Sequence, residues 1–193
     1  MIDLSDIDNV KQLVGDCIKG DRISQQKFYQ LFYGKMLSIC MRYSDNRDEA
    51  KDILHDGFIK VFGNLKNFAF NGSIEGWVKR IVTNTAIDSV RKKKNFLVEF
   101  EDNRNYDKRI DDFDDNIEFE QINQLKVEVI MQLIQKLSPM YKMVFNLYVF
   151  EELTHKEIAE ELNINIGTSK SNYAKAKRNL KRFFEEYTNG NKK

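Results

Sequence analysis

Helix-breaking residues are nearly missing from this sequence: Pro139 is its one proline, and nine glycines are spread over 193 residues. With 32% charged residues and no regular alternation of apolar and polar positions, the chain offers little that reads as a strand and is expected to be all-α. Cysteine is scarce too. Cys17 and Cys40 sit in helical patterns without metal-ligand spacing, which predicts reduced core thiols of a cytosolic protein. His55 and His155 each stand alone. With no metal-spaced cluster, no glycine-rich phosphate loop and no nucleophile signature, an enzyme is the weakest reading, and neither a cofactor nor a metal is expected. No apolar run approaches membrane-spanning length. The start, Met1-Ile2-Asp3-Leu4-Ser5-Asp6, lacks the basic and apolar parts of a signal peptide.

What is present is charge, unevenly placed. The formal net charge is +1, but Lys60 to Lys94 holds eight Lys/Arg against Glu75 and Asp88, and the chain from Lys170 onward holds eight against Glu185 and Glu186. Between them, Glu99 to Glu120 carries ten Asp/Glu against Arg104, Lys108 and Arg109. A basic, acidic, basic order suits nucleic-acid contact at two places separated by a segment that duplex DNA would repel. A chain of this length can hold two small helical domains joined by a linker.

In chain order, Val10 to Ile18 reads as a short helix stopped by Lys19-Gly20-Asp21, and Ser24 starts a longer one with Phe28, Leu31, Phe32, Ile39, Cys40 and Tyr43 on one stripe. After Ser44-Asp45-Asn46, a third helix turns Ile53, Leu54, Phe58, Val61, Phe62 and Leu65 inward. An aromatic loop, Phe68-Ala69-Phe70-Asn71-Gly72-Ser73, precedes a fourth helix that begins near Glu75 and buries Trp77, Val78, Ile81, Val82 and Ala86. On it Arg80, Asn84, Asp88 and Arg91 share one face, and it runs into Arg91-Lys92-Lys93-Lys94. Such a basic tail suits either a solvated helix end or, beside aromatic rings, the stacking and phosphate neutralisation that single-stranded nucleic acid requires. Residues 95–116 show no steady period and read as an acidic linker with little fixed structure; a helix resumes with Ile117, Ile122, Leu125, Val129, Leu133 and Leu137.

Leu137 to Leu180 reads as a helix-turn-helix. Ser138 can cap a helix with Pro139 at its first position, and Thr154-His155-Lys156-Glu157 is a capping box. Asn163-Ile164-Asn165 is a tight turn, in which Asn165 suits the cap of a last helix. On that helix Tyr173, Ala176, Leu180 and Phe184 are expected inward, with Lys170, Ser171, Asn172, Lys175, Lys177, Arg178, Lys181 and Arg182 outside. Lys, Asn and Arg near the start of a second helix suit a DNA major groove, Asn towards adenine edges and Lys towards guanine or phosphate. The plainer alternative is a three-helix bundle with a solvated basic face.

These residues resemble a known family, the small two-domain extracytoplasmic-function class of sigma factors of bacterial RNA polymerase, within the sigma-seventy family. Asp48 to Phe62 looks like its polymerase-binding helix, Gly76 to Lys92 its promoter-melting helix, and Leu137 to Lys177 its C-terminal helix-turn-helix. The resemblance implies an all-α fold of two small domains, 1–95 and 117–193, with 96–116 as the linker. It implies partners as well: core RNA polymerase, promoter DNA in double- and single-stranded form, and an anti-sigma factor. Asp52, Ile53, Leu54, Asp56, Phe58 and Ile59 would dock on polymerase. Phe70, Asn71, Lys79, Arg80, Asn84, Arg91, Lys92 and Lys93 would hold melted promoter, with a base flipped from the non-template strand. Thr168, Lys170, Ser171, Asn172, Lys175 and Arg178 would face the more distant promoter element in the major groove. The sequence departs from the family's pattern at Ser169, where an apolar residue is usual, and at His55 and Gly57, where Gln and a small or branched residue are common. The runner-up is a helix-turn-helix regulator acting without polymerase, which would need a dimer surface and an effector pocket that the N-terminal half lacks in recognisable form.

Overall fold

A computed structural model describes residues 4, 6–93 and 127–190, and every regular element among them is helical. The acidic linker at 96–116, the helix resumption at Ile117, Ile122 and Leu125, and Lys94 lie outside the described residues. The chain divides into two compact units, Met1–Ser89 and Val90–Lys193, each taken here by itself.

In the first unit, α1 (Ile7–Ile18) starts earlier than its apolar pattern suggests, because Asp6 caps it: the Asp8 amide donates to Asp6 Oδ1 at 2.9 Å. Its last turn ends at Gly20, whose φ of +85° costs a glycine little. α2 (Arg22–Tyr43) is capped by Asp21, which accepts from the Ser24 amide at 2.7 Å; bonding to Ser24 holds the Asp21 carboxyl below its usual range. α3 (Arg47–Asn64) is capped by Asn46, which accepts from the Glu49 amide, while the Glu49 carboxylate accepts from the amide of Asp45, one residue before the cap. A single 3-10 turn, Leu65–Asn67, leads to the aromatic loop, and α4 (Ile74–Arg91) begins where Ser73 Oγ accepts from the Gly76 amide at 3.0 Å.

The core of this unit is aromatic and aliphatic. Phe28 and Phe32 of α2 are fully enclosed with centroids 4.9 Å apart, and Phe58 of α3 packs on Tyr29 at 4.5 Å. Gly57 marks the crossing of α3 and α4, where an added Cβ would stand 3.1 Å from Val82 Cγ2. Cys17 and Cys40 are both buried and free, their thiols pushed up to about 11 and about 12 mainly by desolvation, so neither is a thiolate at neutral pH.

The second unit holds α5 (Val127–Gln135), α6 (Pro139–Val149), α7 (His155–Leu162) and α8 (Ile166–Gly190). Ile134, Leu137, Phe145 and Ala176 form one core cluster, with Tyr173 and Leu180 partly buried against it. Pro139 opens α6 as expected, but the Ser138 hydroxyl makes no capping bond; only its backbone carbonyl engages, accepting from the Lys142 amide at 2.9 Å. The capping box at α7 is complete, with Thr154 N and Oγ1 both donating to Glu157 Oε2 at 2.8 and 2.7 Å. These bonds, the hydroxyl's first, hold the Glu157 carboxyl below its usual range. Asn163 closes α7 in the left-handed region, φ 53° and ψ 47°. Ile164 is buried, and Asn165 caps α8 through its Oδ1, which accepts from the Thr168 amide at 2.6 Å. The helix-turn-helix boundaries therefore stand where local capping chemistry put them.

Candidate nucleic-acid interface

On α4 the residues read from spacing alone come out as a surface. Arg80, Asn84 and Asp88 are exposed along one face, and Arg91 and Lys93, half-buried, and Lys92, exposed, follow at its end. Asp88 is not left to oppose a phosphate unscreened: Lys60 of α3 reaches its Oδ2 at 3.3 Å. Trp77 and Ile81, read as core, are only half-buried, whereas Thr83, Thr85 and Ile87 are enclosed.

The aromatic loop is built rather than loose. Phe68 is buried and meets Trp77 at 5.5 Å and Phe70 at 4.7 Å, which ties the loop to the first turns of α4. Phe70 holds φ at +57°, a strained conformation for a bulky side chain that its ring contacts must sustain. Asn71 beside it is exposed, and Lys79 one turn into the helix is half-buried. Half-buried rings next to exposed amide and guanidinium groups can stack an unpaired base and hold its backbone.

On α3 the geometry divides the residues expected to meet polymerase. Ile53, Leu54 and Phe58 are enclosed in the core and present no surface. Asp52 and Asp56 are exposed, and Ile59, at 59% relative exposure, stands among them. With His55 they make a face that is acidic, with one apolar side chain in its midst.

On α8 the structure departs most from what spacing predicts. Lys170 and Arg178 are exposed and Ser171 and Lys175 half-exposed, as expected of an outer face. Thr168 and Asn172 are not: both are buried, Asn172 completely, and its amide is enclosed with no protein hydrogen-bond partner on either atom. Neither can touch a base edge from this position. The inward line of α8 runs through Ser169, Asn172 and Ala176, while Tyr173, Leu180 and Phe184 flank it half-buried. Lys175 lies 6.0 Å from the centroid of Tyr141 and Lys177 5.0 Å from that of Tyr173, so the basic groups are backed by rings.

Residues 28–96 match the model of sigma-70 region 2 and residues 128–180 that of sigma-70 region 4. The chain is 30% identical over 183 residues to the ECF RNA polymerase sigma factor SigW of Bacillus subtilis, covering 90% of this chain and 95% of that one. It belongs to the ECF family of RNA polymerase sigma factors. It is also 27% identical to the ECF sigma factor SigE of Mycolicibacterium smegmatis, over 80% of this chain and 59% of that protein. Among solved structures, the sigma factor RpoE in complex with the anti-sigma factor NepR from Bartonella quintana is similar at 17% identity and a TM-score of 0.49, covering 83% of this chain and 96% of that one.

In this sigma factor one group went unplaced by the sequence reading. His155, the first residue of α7, stacks on Tyr148 with centroids 4.6 Å apart and planes at 18°, lies 5.7 Å from Tyr173, and sets its Nδ1 3.0 Å from Ser169 Oγ. Ser169 stood out as a departure from the family's pattern, but nothing in the sequence joined it to His155 fourteen residues earlier. Among the described residues no His/Cys/Asp/Glu group could hold a metal ion, and no helix is long and apolar enough to cross a membrane.

Proposed function

We propose that this sigma factor, which directs promoter-specific initiation by core RNA polymerase, divides that task among three surfaces. The exposed face of α3, with Asp52, Asp56 and Ile59, takes the polymerase. The aromatic loop and the Arg80–Asn84 face of α4 hold melted promoter, with Lys79, Arg91, Lys92 and Lys93 towards its backbone. Lys170, Ser171, Lys175 and Arg178 meet the upstream element as a duplex. The accompanying division is 1–95 and 117–193 as working domains, with 96–116 joining them. The chain acts by binding, with no bond chemistry of its own, and works in the cytoplasm, where polymerase and promoter meet.

The observation that carries this reading is the α4 surface: rings tied to the helix start, then an exposed guanidinium and amide one turn apart. Anchored rings supply stacking energy at small entropic cost, and the flanking polar groups supply hydrogen bonds to an unstacked base. The test is Arg80→Ala with Asn84→Ala in the full chain. Binding of core polymerase should match wild type, while permanganate reactivity of promoter thymines appears more slowly. Unchanged opening by a folded double variant would remove the assignment.

A further inference from the structure

Through its first two turns α8 is seated on polar groups: Thr168, Ser169 and Asn172 are all buried, before Ala176 continues the line. Ser169 is completely enclosed, and its hydroxyl pairs with Nδ1 of His155 on the preceding helix at 3.0 Å. Either the hydroxyl donates to a bare Nδ1 or an Nδ1–H donates to the serine oxygen; both fix the same geometry. The imidazole itself has little freedom. Tyr148 of α6 stacks on it, Tyr173 of α8 stands beside it, and the Thr154–Glu157 capping box holds the backbone from which it projects.

We propose that His155 and Ser169 are positioning residues for promoter recognition, their hydrogen bond setting the roll of α8 on α7 and so the place of Lys170, Lys175 and Arg178. This rests on the reading of α8 as the recognition helix. Apolar contact is non-directional and tolerates small rotations, whereas a hydrogen bond loses strength steeply with distance and angle. Lys170 follows Ser169 directly in the chain. At an outer radius of roughly 5 Å, a roll of about 20° displaces a side chain by about 2 Å, enough to take it out of hydrogen-bond reach of a base edge.

The experiment uses full-length chain with core polymerase, and a duplex carrying the upstream promoter element. Ser169→Thr and Ser169→Val add the same bulk at an enclosed site, but only threonine keeps the hydroxyl. Ser169→Ala removes the hydroxyl without adding bulk. His155→Asn offers an amide nitrogen near the place of Nδ1, and His155→Leu offers none. The threonine and asparagine variants should bind the duplex within about twofold of wild type, while the valine, alanine and leucine variants lose about tenfold, the scale of one buried hydrogen bond, together with preference over a base-changed duplex. Equal binding within the Thr/Val and Asn/Leu pairs would overturn the proposal, as would a loss matched by an equal fall in thermal midpoint. Lys170→Ala run alongside separates the two readings. If it loses affinity while the pairs stay equal, only the positioning role fails; if it also binds as wild type, α8 is not the reading helix.

Discussion

Two helix seams in this molecule are both enclosed and chemically opposite. Where α3 crosses α4, Gly57 meets Val82, both enclosed, and the missing side chain at 57 lets the two helices come close: an added Cβ would stand 3.1 Å from Val82 Cγ2. On α8, Thr168, Ser169 and Asn172 are enclosed, and Ser169 meets His155 of α7. The first seam is held by close packing, and the second in part by a hydrogen bond that demands an angle. A platform needs only to be firm. On the proposed reading of α8, a helix that meets base edges must also be aimed, and a directional contact such as that of His155 with Ser169 supplies the aim.

The largest effect that could break this comparison is on the apolar side. Phe58→Ala should cost the first unit about 3–5 kcal/mol, read from the denaturant midpoint, whereas Asp56→Ala and Ile59→Ala should stay within about 0.5 kcal/mol and weaken core-polymerase binding instead. A Phe58 variant of nearly native stability would mean the ring is surface after all. Next comes Gly57. Leucine there must displace Val82 and should cost about 1–3 kcal/mol, while alanine should come out near neutral, since its gain in helix propensity of roughly 1 kcal/mol offsets a contact at 3.1 Å. A tolerated leucine would show that the crossing is loose.

On the polar side the sign reverses. Asn172→Leu replaces an enclosed amide that has no protein partner with an apolar side chain of similar branching, and should raise the stability of the second unit by about 1 kcal/mol. A drop instead would mean that the amide is satisfied in solution. The smallest effect concerns acid. Hydrogen bonds from Thr154 lower the Glu157 carboxyl, so its contribution is fully present above the ordinary glutamate value of 4.5 and is lost as pH falls through the lowered one. Circular dichroism of the wild type and Glu157→Gln across that window should show the variant less sensitive to acid. Parallel curves would remove the capping box from the account.

The contrast between the seams also explains what could be read in advance. Caps were legible because their chemistry is local: Thr154 with Glu157, and Asn165 with the third residue after it, are complete within one turn. The face of α4 was legible because its exposed residues are polar and its buried ones mostly apolar, so period and chemistry agree. On α8 they disagree. Tyr173, Leu180 and Phe184 draw an apolar stripe, but the enclosed line beside it runs through Ser169, where the family usually has an apolar residue, and Asn172, which was expected outside. Ser169 becomes intelligible only with His155, a partner brought to it by the turn. Ile53, Leu54 and Phe58 were read correctly as inward, and their second assignment, to polymerase contact, asked one side chain to occupy two places.

The turn between α7 and α8 leaves no residue idle. Asn163 closes one helix in a left-handed conformation, Ile164 plugs the core, and Asn165 opens the next. An inserted residue would have to displace one of these three, and a single added step of helix swings everything after it by about 100°. Such a segment can be revised by substitution but not by length. Insertions and deletions in this chain are therefore expected to collect elsewhere, and a library that varies loop lengths should return this turn at its present size in every variant that still binds the upstream element.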